Sequence, residues 1–488
     1  MPRLLATFFI VLTKPGAPLK ETGFVLAFHR LRSLRADVDS ICRVVLQRYS
    51  LGVSDVVICL DSDHVARYLI LEPSLGDTCA KLYSDVMNGL YTSLLDLSSE
   101  EDLEKAVDAV VEDLGLQRDF ALCRDKLMYY IKRDSFGFGI LDTVLRDPGI
   151  EDIELCDWRK PVTVVHRDFL ALESLTTNIL FESEEEARSY VERLALRGGK
   201  GISLAKPEVH TALSENMRLA ATLGEPVSRG PTFSIRRLPE IPIDVATLIK
   251  ESVIAPHVAA LAWLVNDAKM FYAVVGGSGS GKTTLLNALL QLSNPSWKIV
   301  VVQDVLELRL PSRKRFIQFF GESSEDILQR CLTALRYRPD ILIVGEVRGR
   351  EIAALVRSVA SGSGSATTFH ASAPEEFEMA VRNLLPRDLY AMLSLNTSVL
   401  ILIAKLRVGR TVQRKVWRVY ERVSDEWREI FGPQTDTVFS SYTLKRLGKR
   451  LAVDDMEAEL EYRTKLLEGA EQGYESIEIL MKKFYTLY

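Results

Sequence analysis

Apolar positions change rhythm along this chain, and the changes mark out its parts. Short β-branched runs over 56–60 and 68–71 predict strands near the start. Residues 4–12 have the short apolar core of a signal peptide. Only Arg3 precedes them, however, and Thr13-Lys-Pro-Gly-Ala-Pro is a poor cleavage sequence, so a first strand is predicted there. From about 100 to 133 the spacing turns helical, through Leu103, Val107, Val110, Val111, Leu114, Leu122, Leu127 and Tyr130. That stretch predicts a helical bundle segment over 96–133, behind a variable α/β region at 1–95. Runs over 150–155, 162–165, 178–181, 217–222 and 232–236 then predict strands. A helix over 184–196 carries an acidic first turn that suits the helix dipole. Together these predict an α+β domain over 134–238.

Pro239-Glu-Ile-Pro242 reads as a stiff linker, 239–243. Between 244 and 425 helical and β-rich runs alternate, the pattern of a parallel sheet covered by helices on both faces. The tail, 426–488, reads as mostly helical. Its amphipathic stretches over 457–467 and 477–485 suit packing against the preceding domain or a neighbouring subunit.

With 488 residues, 47% hydrophobic and 26% charged, the chain has room for about three or four domains. A net charge of −5 argues against a nucleic-acid-coating protein. Six scattered cysteines without a C-x-x-C pair indicate neither a zinc site nor a disulfide framework, and suit a reducing compartment. No apolar run reaches the roughly 18–20 residues that span a bilayer.

Chemistry gathers in the second half. Gly276-Gly-Ser-Gly-Ser-Gly-Lys282-Thr283 fits the G-x-x-x-x-G-K-[ST] phosphate loop, between an apolar run at 270–275 and a helix-like run at 284–290. Backbone N–H groups of Gly277, Ser278, Gly279, Ser280 and Gly281, with those of Lys282, Thr283 and Thr284 at the helix start, can cradle phosphates. Lys282 would reach the β/γ-phosphates and the Thr283 hydroxyl a Mg²⁺ ion. Downstream, the run at 299–303 leads into Asp304 and Glu307. Glu307 could polarise a water while Asp304 or Gln303 orients it. Asp340-Ile-Leu-Ile-Val-Gly-Glu346 resembles a Walker B strand, its carboxylate holding Mg²⁺ through water or activating the nucleophile. Thr367-Thr-Phe-His370 sets hydroxyls and an imidazole at a strand end, a place for sensing phosphate. Arginines at 218, 229, 236, 237, 309, 336, 338 and 348 could stabilise charge on a transferring phosphate, or pair at the surface.

These motifs, with Asp147-Pro-Gly-Ile-Glu-Asp, Val165-His-Arg-Asp-Phe and Val227-Ser-Arg-Gly-Pro-Thr-Phe-Ser-Ile-Arg236 upstream, resemble the secretion-ATPase superfamily, and its archaeal members in particular. The superfamily serves type II and type IV secretion, type IV pili and the archaeal flagellum. The resemblance covers about 125–425. It implies an α/β fold in which a RecA-like P-loop motor domain follows an α+β (PAS-like) domain and a variable N-terminal region. It also implies a homohexamer that hydrolyses ATP with Mg²⁺ at the cytoplasmic face of a membrane. Its partners would be a polytopic membrane platform protein and, indirectly, pilin-like subunits, with nucleic acid disfavoured. By position, Lys282 and Thr283 belong to the Walker A loop, Glu307 to the Asp box as catalytic carboxylate, Glu346 to Walker B and His370 to the His box. Arg218, Arg229 and Arg236 become the arginines that the front domain offers to ATP. Two residues depart from the pattern: Gln303 replaces a glutamate, and Ser363 replaces a histidine and has no imidazole to titrate. The alternatives are a conjugation motor of the same superfamily, a nucleic-acid translocase, and a non-catalytic ATP-gated scaffold.

Overall fold

The computed structural model describes residues 32–92, 99–214, 216–238, 241–321, 323–408, 411–424 and 426–487. The strand expected over 4–12 and the first two linker residues lie outside these. The chain forms two compact units, Met1–Leu238 and Pro239–Tyr488.

The first unit is built on a nine-stranded sheet. Its strands are β1 (Val44–Leu51), β2 (Ser54–Leu60), β3 (Ala66–Leu71), β4 (Ile150–Leu155), β5 (Thr163–His166), β6 (Leu175–Thr177), β7 (Glu208–Ser214), β8 (Met217–Thr222) and β9 (Thr232–Arg237). Their spatial order is β1-β2-β3-β6-β5-β4-β9-β8-β7. The sheet therefore runs across the division expected at 95/96, because β3 pairs with β6. The period-2 pattern explains the union. Val56, Ile58, Tyr68 and Ile70 face the main core beside Ile150, Ile153, Tyr190 and Val191, while Val57, Cys59 and Leu69 fill a smaller cluster on the other face.

The strand expected over 178–181 begins at Leu175 and ends at Thr177, one residue before its predicted start. Asn178 replaces the next backbone pair with its side chain: Ile70 N–H donates to Oδ1 at 2.9 Å, and Nδ2 donates to Ile70 O at 2.8 Å. Three helices, α1 (Asp77–Thr92), α2 (Glu100–Asp113) and α3 (Gln117–Ser135), pack through Leu82, Val86, Leu103, Val107 and Leu127, with α4 (Glu184–Arg197) on the sheet. Leu122, although in the helical rhythm, is 86% exposed; Phe120 and Cys123 face inward instead. A buried cluster fastens the helices to the end of β3. Arg133 donates to Glu72 at 2.7 Å and to Asp134 at 2.7 Å, and Asp134 accepts from Tyr83 at 2.6 Å. The upstream motif residue Asp147 is structural, accepting from Tyr68 at 2.7 Å and from Tyr49.

Cysteine usage has to be corrected. Cys42 and Cys59, and Cys79 and Cys123, form disulfides. Sequence spacing could not show this, because folding brings β2 to the 42 turn and α1 to α3. The argument from cysteines for a reducing compartment therefore falls.

The second unit carries β10 (Phe271–Val275), β11 (Ile299–Gln303), β12 (Phe316–Phe320), β13 (Ile341–Glu346), β14 (Gly364–Phe369), β15 (Thr397–Val408), β16 (Thr411–Val423), β17 (Glu426–Gly432) and β18 (Thr435–Asp436). The order is β12-β11-β13-β14-β10-β15-β16-β17-β18. From β12 through β15 every pairing is parallel, and β15–β16–β17–β18 continue antiparallel. β10 and β11 are buried along their whole length, as a sheet covered on both faces demands. The tail opens on a strand, β17, rather than a helix, since Ile430 belongs in the core. Its helices α7 (Met456–Glu468) and α8 (Tyr474–Leu487) return to α5 (Pro256–Asp267). There the Arg463 guanidinium lies 4.6 Å from the Trp263 ring centre and bonds Asp267 at 2.6 Å, and Trp263 Nε1 donates to Tyr485 at 2.8 Å.

Each disulfide should stabilise the first unit by about 3–4 kcal/mol through loop closure. Thermal unfolding with and without reductant checks this; reductant or Cys79→Ser should lower the midpoint, and curves that coincide would show that the pairs are not closed.

Candidate functional site

The phosphate loop leaves the buried end of β10 and turns into α6 (Lys282–Gln291). Gly279 (φ 64°) and Gly281 (φ 96°) take the left-handed conformation that glycine adopts without strain. No side chain caps the N-terminus of α6, so its first-turn N–H groups are left for a ligand. Lys282 is buried and its Nζ donates to the loop's own Gly277 O at 2.9 Å, as does Ser280 Oγ at 2.9 Å. Burial pushes the ammonium below its usual pKa, against the pull of Glu346 and Glu307. Gly277 and Ser278 are exposed, while Thr283 and Thr284 sit half-buried in the first turn. Uncapped amides, left-handed glycines and a desolvated lysine make a donor set that fits a polyphosphate.

Parallel pairing brings the next groups to the same place. Glu346 ends β13, and His370 follows β14, its neighbour. His370 Nε2 and Glu346 Oε1 are 2.5 Å apart, and Lys282 Nζ lies 3.4 Å from either ring nitrogen. Arg348 donates both to Glu346 and, at 3.0 Å, to Asp304. Burial alone would lower the Arg348 pKa; the charges of Glu346 and Asp304 overcome that and raise it. The Thr367 and Thr368 hydroxyls do not reach the site, as they bond Val344 O and Gly345 O of β13, both at 2.7 Å.

Gln303, one of the two departures, shapes the loop that carries Glu307. Its Oε1 accepts from Glu307 N–H at 3.1 Å and Leu308 N–H at 3.0 Å, and its Nε2 donates to Leu308 O at 3.3 Å. A carboxylate has no N–H and could not make the last of these. Asn287 on α6 pins the same loop by accepting from Arg309 N–H at 2.9 Å. Ser363 stands at the start of β14, bonded to Pro339 O at 2.7 Å, whereas His370 follows that strand's end. Six strand residues separate them by about 20 Å. Its missing imidazole is thus remote from the loop.

Arg218, Arg229 and Arg236 belong to the first unit. Arg218 and Arg236 face each other across β8 and β9, and Arg236 Nε donates to Asp152 at 2.9 Å; Arg229 lies in the turn between those strands. Sequence reasoning took Gln303 as a residue that could orient water rather than as a loop brace, and passed over Asn287, with Lys405 and Arg414 beside the loop. The only signal for the last two was alternation of cations with apolar residues along a strand.

A phosphate loop on an inner strand of a parallel sheet, with an acid and a histidine from neighbouring strand ends, defines a RecA-like P-loop protein. The chain belongs to the family described as type II/IV secretion system protein, whose pattern matches residues 209–430. It is similar to an uncharacterised protein of Methanocaldococcus jannaschii, with 30% identity covering 82% of this chain and 81% of the relative. A putative conjugal transfer protein of Mycobacterium tuberculosis is 33% identical, covering 56% of this chain and 82% of that one. Among solved structures, the ATPase DotB of Yersinia pseudotuberculosis aligns over 67% of this chain and 92% of its own, with 13% identity and a TM-score of 0.44.

Gln303→Ala should strand the buried Leu308 N–H, while Leu308 O keeps Gln318 and Glu307 N–H keeps Val305 O, costing about 1–3 kcal/mol. Denaturant unfolding of the variant measures it, and a loss below about 0.5 kcal/mol would show that the amide does not hold the Glu307 loop.

Proposed function

We propose that this protein is a homohexameric ATPase that couples Mg-ATP hydrolysis to assembly of a type IV pilus-like filament, or to secretion through a membrane platform protein. It would work as a peripheral protein at the cytoplasmic face of the membrane, on a polytopic platform and, through it, on pilin-like subunits. The observation carrying this reading is the convergence of Lys282, His370 and Glu346, with Lys282 3.4 Å from the His370 ring and His370 2.5 Å from Glu346. Membership of the type II/IV secretion family gives it context.

In this reading Lys282 would leave the Gly277 carbonyl for the β/γ-phosphates, and the Thr283 hydroxyl and Glu346 are the residues that would hold Mg²⁺, Glu346 partly through water. Mg²⁺ would supply neutralisation of phosphate charge. Glu307, on the loop shaped by Gln303, polarises the attacking water. His370 holds Glu346 until a phosphate competes for the imidazole, which makes the pair a sensor of occupancy. The working parts would be a front domain, 134–238, and a motor, 244–425, with Arg218, Arg229 and Arg236 as the front domain's candidate charge-stabilising residues.

A conjugation motor is the second reading, favoured by the similarity to a putative conjugal transfer protein. Capture of a membrane partner by the full chain separates the two. A platform protein encoded with prepilin-like subunits supports the first, and DNA-processing partners support the second.

Lys282→Ala should abolish ATP turnover, and Glu307→Gln should lower kcat by about a hundredfold or more while nucleotide still binds. Steady-state phosphate release measures both; near-normal turnover by the Lys282 variant would overturn the assignment.

A further inference from the structure

Strand β15 runs beside β10, on the side away from β14. Its partner β16 sets Arg414 directly opposite Lys405, so the two side chains share one face of the ribbon. That face is the one turned to the phosphate loop. A Cβ placed on Gly279 would stand 2.9 Å from Lys405 Nζ, and one on Gly281 would stand 3.5 Å from Arg414 Cδ and 3.6 Å from Ile403 Cδ1. Arg414 Nε donates to Gly279 O at 3.2 Å. Two residues beyond Lys405, the exposed Arg407 continues the same face.

Like charges directly opposite on neighbouring strands are destabilising. Here that arrangement stands over a loop with the donor set of an anion site. The two sides of β10 also differ. Glu346 and His370 lie on its β14 side, where a terminal phosphate meets acid and imidazole. Lys405 and Arg414 lie on its β15 side, away from those groups and beside mid-loop.

We propose that Lys405 and Arg414 are phosphate-binding residues, gripping the part of the phosphate chain nearer the nucleoside, which ATP and ADP share. The assignment rests on the reading of Gly276–Thr283 as a nucleoside triphosphate site. Gripping a shared part sets affinity and leaves the chemical step alone, since an interaction equal in ground and transition states lowers KM without changing kcat. It would also retain ADP after phosphate release.

Titration of the full chain with Mg-ADP and Mg-ATP tests this, for wild type, Lys405→Ala, Arg414→Ala, the double variant and Arg414→Lys. Both groups are at least partly exposed, so the variants should fold. The double variant should weaken ADP and ATP alike by about tenfold or more, the loss of charge-assisted bonds, with KM raised and kcat within about twofold. Arg414→Lys should recover most of the affinity, because it keeps the charge while losing the Nε bond to Gly279. Affinities within about twofold of wild type would overturn the proposal. So would a fall in kcat at unchanged affinity, or failure of Arg414→Lys to recover binding, since either marks a residue that only shapes the loop. A wild-type chain that binds neither nucleotide would instead overturn the triphosphate site itself.

Discussion

A parallel sheet buried on both faces leaves polar chemistry only one kind of place to go, the ends of its strands. β10, β11 and the core of β13 are apolar and inaccessible, and their backbone groups are used in the ladder. The loop after β10, the acid ending β13 and the histidine after β14 therefore meet at one edge, although nearly a hundred residues of chain lie between the first and last. The same constraint sends Ser363, at the other end of β14, away from them. It explains why a departure from the family pattern at 363 leaves the neighbourhood of Lys282 intact.

The charges at that edge satisfy one another. Lys282 rests on a loop carbonyl, Glu346 is held by His370 and Arg348, and Arg348 extends the connection to Asp304. A polyanion entering the loop would compete with Gly277 O for Lys282 and with Glu346 for the imidazole. Glu307 is tied into this arrangement through the buried amide of Gln303 and, by Asn287, to the helix that starts at the loop.

Much of this could be read along the chain. β4, β8 and β9, the helix at 184–197 and the strand–loop–helix around Lys282 appear where the apolar rhythm and capping signals put them. The readings that failed did so where a side chain took over a backbone role or a distant segment intervened. Asn178 imitates a strand with its amide, Thr367 and Thr368 spend their hydroxyls on the neighbouring strand, and four cysteines find partners across the fold. Gln303, a departure from the family pattern, braces the loop that carries Glu307 through its buried amide.

By itself the sequence determined the local chemistry of the loop and the identity of the acid and histidine. A phosphate cradle depends on glycines, a lysine and a helix start that are contiguous in the chain. The tertiary structure decided which distant side chains join that cradle. Strand order is set by packing of buried faces, which no local pattern records. It brought Glu346 and His370 to one side of β10 and Lys405 and Arg414 to the other.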